Sequence, residues 1–367
     1  MDWLPDTLSP DPNVVWEKRL PHPSLGGIAA TSRYVIFGGR DYDDFQDVFR
    51  CLDADTGETI WEIERLAIGA LDYGNSTRST PLIVGEHVFC QGALGTLLCL
   101  HVEDGEVLWE RNLADDFKPS ENLPWGYCAS PLIAAGNLVV NPGAADGSLV
   151  ALDPATGDVV WKTPGPLCAY GSFITHSIAG TSQIVGQDAE SIGGWDATTG
   201  RRLWKVLPNS PGDFNVPTPI AIQNRLLIAT EGNGVRLYQF DDAGQLAPEW
   251  LFRNTRVRSD MSSPIVIGEL AYCAKDFLTC LDLQDELKEK WRLRDRSISD
   301  YGAIVASDER MMVIADGELL LLGTDGNKKI LSRQKIFSES IPIYSHPAFV
   351  GRRMYVRGET KLLCIEL

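Results

Sequence analysis

The stretch Cys51-Leu52-Asp53-Ala54-Asp55-Thr56-Gly57-Glu58-Thr59-Ile60-Trp61 decides the fold. Locally it reads as a strand end, a turn and the start of the next strand. Asp53 can accept bonds from the amides that follow it, and Gly57 tolerates a positive φ, so the turn has a physical basis. Recurrence makes it more than a local feature. Trp16, Trp61, Trp109, Trp161, Trp204, Trp250 and Trp291 end successive copies, at spacings of 45, 48, 52, 43, 46 and 41 residues. An eighth copy is expected around Asp325-Gly326, with Ile330 in the tryptophan's place.

A second motif precedes most copies: a Ser-Pro or Thr-Pro step followed by an apolar, β-rich run. Thr80-Pro81, Ser130-Pro131, Thr218-Pro219 and Ser263-Pro264 carry it, and His346-Pro347 is a variant. Each unit therefore reads as four short strands, the last bearing the tryptophan. Four strands repeated every ~40–45 residues is the signature of propeller blades. The chain opens on a lone last strand, Val14-Val15-Trp16-Glu17, and closes on three strands without a fourth. The two ends are expected to complete one shared blade, closing a ring of eight and removing exposed sheet edges. The expected fold is an all-β, eight-bladed propeller of four-stranded antiparallel blades, one domain over residues 1–367. The longest interruptions, Arg40–Phe49, Leu113–Tyr127 and Arg294–Asp300, lie between strands, and loops of that size often carry function.

Composition narrows the function classes. With 50 acidic and 33 basic residues the net charge is -17, which argues against a surface that tracks phosphates or adheres to anionic lipid. A hydrophobic share of 44% fits a large buried core, and no apolar run reaches the ~20 residues of a membrane span. No signal peptide precedes Met1-Asp2-Trp3, so the protein is expected to be exported if a leader has been removed and cytoplasmic otherwise. Cys51, Cys99, Cys280 and Cys364 share one repeat position that calls for a small buried side chain. Cys90 with Cys99, and Cys273 with Cys280, could face each other across hairpins. Free thiols are the expectation, and no spacing indicates zinc or attached haem.

The pattern D-x-x-T-G-x-x-x-W at Asp53/Gly57/Trp61, Asp153/Gly157/Trp161 and Asp196/Gly200/Trp204 resembles the tryptophan-docking motif of PQQ-like, quinoprotein alcohol dehydrogenase-like eight-bladed propellers. With the Ser/Thr-Pro strands the resemblance covers essentially the whole chain. It implies that these tryptophans, Trp109 among them, dock onto the neighbouring blade and are structural. More narrowly the chain looks like compact bacterial members of planctomycete type, whose W-G-Y-x-x-S-P-L stretch corresponds to Trp125-Gly126-Tyr127-Cys128-Ala129-Ser130-Pro131-Leu132. The resemblance also implies what a quinone dehydrogenase would need. That is a ring of two adjacent cysteines beside the cofactor and a carboxylate and amide set for Ca²⁺. No two of the eight cysteines are adjacent, so PQQ with calcium is not expected.

The five histidines are scattered without metal spacing. His176 and His346 are expected in the Thr80 and Ser130 position, facing the channel, with a hydrogen-bonded polar lining favoured over a metal pair. No metal site is assigned. The collective candidate is the channel mouth, just before each innermost strand: Asn75, Arg78, Trp125, Tyr127, Tyr170, Phe173, Phe214, Asn215, Arg258, Asp260, Tyr301 and Tyr344. Aromatic rings mixed with Arg, Asp and Asn suit a small polar or sugar-like ligand. The expectation is a monomeric, non-enzymatic scaffold that binds a protein partner or small polar ligand there. The alternative is an enzyme at the same place, either carbohydrate-directed or a divergent quinoprotein-type oxidoreductase.

Overall fold

The computed structural model describes residues 4–213, 215–299, 301–339 and 341–367. Among them, eight four-stranded antiparallel sheets follow one another around a closed ring. Blade 1 comprises Ile28–Ala30, Tyr34–Arg40, Gln46–Asp53 and Thr59–Leu66. Blades 2 to 7 repeat the order from Leu82 to Lys335. Blade 8 pairs Ala348–Val350, Arg353–Arg357 and Lys361–Glu366 with Asn13–Arg19 from the other end of the sequence. The expected shared blade is therefore present. The first strands of blades 1 and 8 touch each other, as do those of blades 6 and 7, so the first strands line the axis.

Alternation along each strand builds the core. Val35 and Phe37 pack with Tyr355 and Leu362 of blade 8, while Tyr34 and Ile36 pack with Val88 and Leu98 of blade 2. The period of two sends successive side chains to opposite faces, so one strand serves two junctions. Eight separate apolar clusters result, one at each blade-to-blade junction, including that between blades 8 and 1.

The outer strands share a device. In blade 1 Cys51 pairs with Trp61 and Leu52 with Thr59, leaving Ile60 bulged out. The same shift recurs at Leu108, Val160 and Leu203 beside Trp109, Trp161 and Trp204, and at Val15 beside Trp16. A bulge kinks and twists the strand. Here it turns the tryptophan toward the next blade, and it accounts for the exposure of Val15, Ile60, Leu108 and Val160. Trp16, Trp61, Trp109 and Trp161 each lie against a turn glycine of the following blade: Gly57, Gly105, Gly157 and Gly200. Three of the four donate their Nε1 to a neighbouring-blade carbonyl: Trp16 to Ala54 at 3.1 Å, Trp61 to Val102 at 2.9 Å and Trp109 to Pro154 at 2.9 Å. The turn aspartates do their expected local work, with Asp53 Oδ1 accepting from the amides of Asp55 and Thr56 and Asp196 doing the same for Thr198 and Thr199.

Two expectations need correction. In blade 7 the register aligns Ser332, not Ile330, with the tryptophan position. Leu321 pairs with Ser332 across the bulge, and Ser332 Oγ accepts the amide of Leu8 at 2.8 Å. The N-terminal arm, anchored by Leu4 and Leu8, fills the space a tryptophan would take. In blade 5, Trp250 precedes the last strand and packs toward blade 4, while Phe252 faces blade 6. Trp204 keeps its indole bond within its own blade, to Gln183 Oε1 at 2.7 Å, and meets blade 5 edge-on through Phe240. The cysteine pairs considered across hairpins do not meet either. Cys90 pairs with Leu98 and Cys99 with Phe89, which puts the thiols on opposite faces; Cys273 and Cys280 are offset in the same way. All eight thiols are free.

Candidate binding site at the channel mouth

Where the chain enters each innermost strand, the crossovers surround a cavity of about 410 Å³ whose lining draws on all eight blades. The Ser/Thr of the Ser/Thr-Pro step forms its inner collar. The Thr80 amide donates to Ser130 Oγ of the next blade at 2.9 Å, the Ser130 amide to Ser172 Oγ at 3.1 Å, and the Thr218 amide to Ser263 Oγ at 3.0 Å. Proline in the next position has no N–H to offer, so the hydroxyl supplies the link that the strand ends lack.

Above this collar stand aromatic rings. Trp125 and Tyr170 meet edge to face with centroids 4.7 Å apart. Tyr301 lies 6.1 Å from Tyr344 and 6.3 Å from His346. Desolvation holds the pKa of His346 below the ordinary imidazole value. Two arginines complete the wall. Arg78 is folded onto backbone, donating to the carbonyls of Ser76, Asp72 and Gly74. Arg357, only 2% exposed, donates Nη1 to Gly38 O at 2.7 Å and lies over the Phe37 ring. Burial, with the Arg50 charge adding to it, depresses its pKa to about 9. Its Nε has no partner, and neither arginine is ion-paired, among the described residues. Among the described residues, Glu359 is the one carboxylate on the lining.

Of the residues singled out from the sequence, Arg78, Trp125, Tyr170, Tyr301, Tyr344 and His346 border this cavity. The others lie elsewhere. Tyr127 is buried in the core between blades 2 and 3, and Phe173 in that between blades 3 and 4, edge-on to Trp195. Asn75 bonds Asp44 Oδ2 and the Leu71 amide, and buried Asn215 reaches Asp188 O. Asp260 is ion-paired with Lys275, and Arg258 is exposed outside the cavity. His176 sits in the middle of the strand Ile174–Ile178, its Nε2 2.7 Å from Gln223 O; Ser172, not His176, holds the position equivalent to Thr80. Phe214 lies outside the described residues. Sequence reading missed Arg357. The available signal was that most second strands end on a polar residue: Arg40, Gln91, Gln187, Thr230 and Lys275 precede it around the ring.

A family model described as outer membrane protein assembly factor BamB matches residues 10–123 and 44–292. The chain belongs to this PQQ-like repeat family. Among curated proteins it is 28% identical over 210 residues to an uncharacterized protein of Rickettsia conorii, covering 52% of this chain and 46% of that one. It is 25% identical over 205 residues to the dehydrogenase subunit of the quinone alcohol dehydrogenase of Acetobacter aceti, covering 52% and 27%. The match thus spans less than half the length of these relatives. Among solved structures, BamB from Moraxella catarrhalis superposes with a TM-score of 0.66 at 16% identity, covering 97% of this chain and all of that one. Quinohemoprotein alcohol dehydrogenase from Comamonas testosteroni gives 0.67 at 12% identity, covering 97% and 76%. At these identities the likeness concerns the fold. No helix among the described residues is long and apolar enough to cross a membrane.

Proposed function

We infer that this PQQ-like propeller is a non-enzymatic envelope scaffold whose channel mouth holds a small polar ligand bearing negative charge. The supporting observation is the pairing of an aromatic wall with two arginines, Arg78 and Arg357, that have no carboxylate partner among the described residues. A buried guanidinium without a counter-charge is costly, and an incoming carboxylate or phosphate offsets that cost through charge-assisted bonds. Rings such as Trp125 and Tyr170 would stack on the ligand's flat or sugar-like body. Export to the envelope and a role in holding a protein partner rest on the description of the family as an outer membrane assembly factor.

The rival reading is a quinone-dependent oxidoreductase, on the strength of the dehydrogenase relatives. The residues of the mouth fit it poorly. Calcium bound with the quinone wants several oxygen ligands, and among the described residues Glu359 is the single carboxylate on the lining. Cys128 is the cavity's one cysteine, and it has no cysteine neighbour in sequence. Thermal-shift titration with glucuronate, glucose, inorganic phosphate, and PQQ plus Ca²⁺ separates the two. Stabilisation by the anions, lost in Trp125→Ala and Arg78→Gln, supports the scaffold reading. A new absorbance band with PQQ would replace it with the redox one.

A further inference from the structure

Six large apolar side chains are more than half exposed among the described residues, and five of them lie on two adjoining loops of blade 1. Tyr42 and Phe45 sit on the hairpin joining the second and third strands of this blade. Leu66, Ile68 and Tyr73 lie at the end of its last strand and on the crossover to blade 2. Their exposures run from 56% at Phe45 to 83% at Tyr42. Bulging does not explain them, unlike Val15, Ile60 and Leu108 on the outer strands.

The two loops are fixed to each other. Arg40, 2% exposed, donates Nε to Asp44 at 2.7 Å, Nη1 to buried Asp47 at 2.9 Å, and Nη2 to Ala67 O at 2.8 Å. The Ala67 amide donates to Phe45 O, and Asn75 Nδ2 joins Asp44 Oδ2 at 2.7 Å. Blade 1 also carries seven- and eight-residue strands that lift this hairpin beyond its neighbours. Two residues, Asp44 and Tyr73, are held in the left-handed region at φ 58° and 65°, an uncommon conformation for a side chain as bulky as tyrosine. A preformed apolar patch of this kind on a soluble surface marks an interaction site. Around the apolar residues stand Asp41, Asp43 and Asp72; of the arginines here, Arg40 is neutralised by Asp44 and Asp47, and Arg78 is folded onto the carbonyls of Asp72 and Gly74.

We propose that this face of blade 1 docks a partner protein through a segment combining aromatic or aliphatic residues with Lys or Arg. The apolar residues supply the contact area, and the acidic rim selects a basic flank and rejects an acidic one. The patch adjoins the channel mouth, whose lining includes Tyr73, and the apolar substitutions used to test it leave that residue in place.

A displayed random twelve-residue peptide library selected on the intact protein tests this, with Tyr42→Ser/Phe45→Ser/Ile68→Ser as the counter-selected variant. Expected are enriched sequences mixing Trp, Phe or Leu with Lys or Arg. Their affinity should fall at least tenfold in the triple variant and in Asp43→Lys/Asp72→Lys, and weaken with added salt. These positions are exposed, so both variants should keep the parent melting temperature. Enrichment of acidic sequences, or binding unchanged in both variants, would overturn the proposal. So would light scattering that shows a dimer converted to monomer by the triple variant, since a second copy would then own the face. Trp125→Ala at the channel mouth should leave peptide binding intact, which keeps this test separate from that of the ligand site.

Discussion

The indole of Trp61 packs against Gly105 on the following blade, and its Nε1 donates to Val102 O in the same turn. A β-carbon on Gly105 would fall 2.9 Å from the indole, and the residue's φ of +74° is strained for any L side chain. One contact therefore fixes the residue type on both sides of a junction.

Trp61→Ala should cost about 3–5 kcal/mol, the range for emptying a large buried side chain, with the urea midpoint as the measure. Gly105→Ala should also destabilise, because strain and overlap combine. Neither change should alter ligand binding per folded molecule.

The hydroxyl collar makes a second prediction. Ser130→Ala leaves the Thr80 amide without its acceptor at the junction of blades 2 and 3. An orphaned, part-buried donor costs about 1–3 kcal/mol. Ser130→Thr, which keeps the oxygen, should recover most of the loss in thermal melting.

Acid stability should track the turn carboxylates. The Thr56 amide and hydroxyl hold the Asp53 pKa below its ordinary value; the Gln284 amide does so for Asp282, and the Asn327 side chain for Asp325. A depressed folded pKa means that the ionised form favours the fold. The contribution is whole above the unfolded value of about 3.9 and is lost as pH falls through the lower folded one. Melting temperature should therefore drop below about pH 4, and Asp53→Asn should flatten that slope.

The thiols should be silent in the native state. Burial pushes Cys51, Cys99, Cys128 and Cys168 up to about 12, and Cys128 is the one cysteine not fully buried. Thiolate is the reactive form. A chromogenic disulfide should thus react slowly with folded protein, chiefly at Cys128, and with all eight thiols in denaturant. Cys128→Ser should remove the slow native phase.

The ring was legible because its signals are local and repeated: a turn aspartate, a turn glycine and a tryptophan recur at blade spacing. Blade 7 departs from that spacing because its outer turn is one residue longer, with Leu321 opposite Ser332 where Cys51 faces Trp61, so counting four residues on from Gly326 lands on Ile330. At the mouth, order along the chain was a weaker guide. Trp125 and Tyr127 are two apart and would share a face in an extended strand, yet Gly126 between them has φ 66°. That turn sends Trp125 to the cavity and Tyr127 into the core. Arg357 escaped notice because its significance depends on Phe37, Gly38 and Arg50, which belong to another blade.

The shared blade also sets a timetable. Lys361 reaches back 344 residues to Glu17, and Trp16 already sits in the groove beside Gly57. On a growing chain, blades 1 to 7 can stack in sequence while Asn13–Arg19 waits as a lone strand with an open edge. The circle cannot close until Lys361–Glu366 has been synthesised. Lys361–Glu366 thus converts a stack of sheets into a ring, and interruption of synthesis before it would leave both ends of the stack exposed to aggregation.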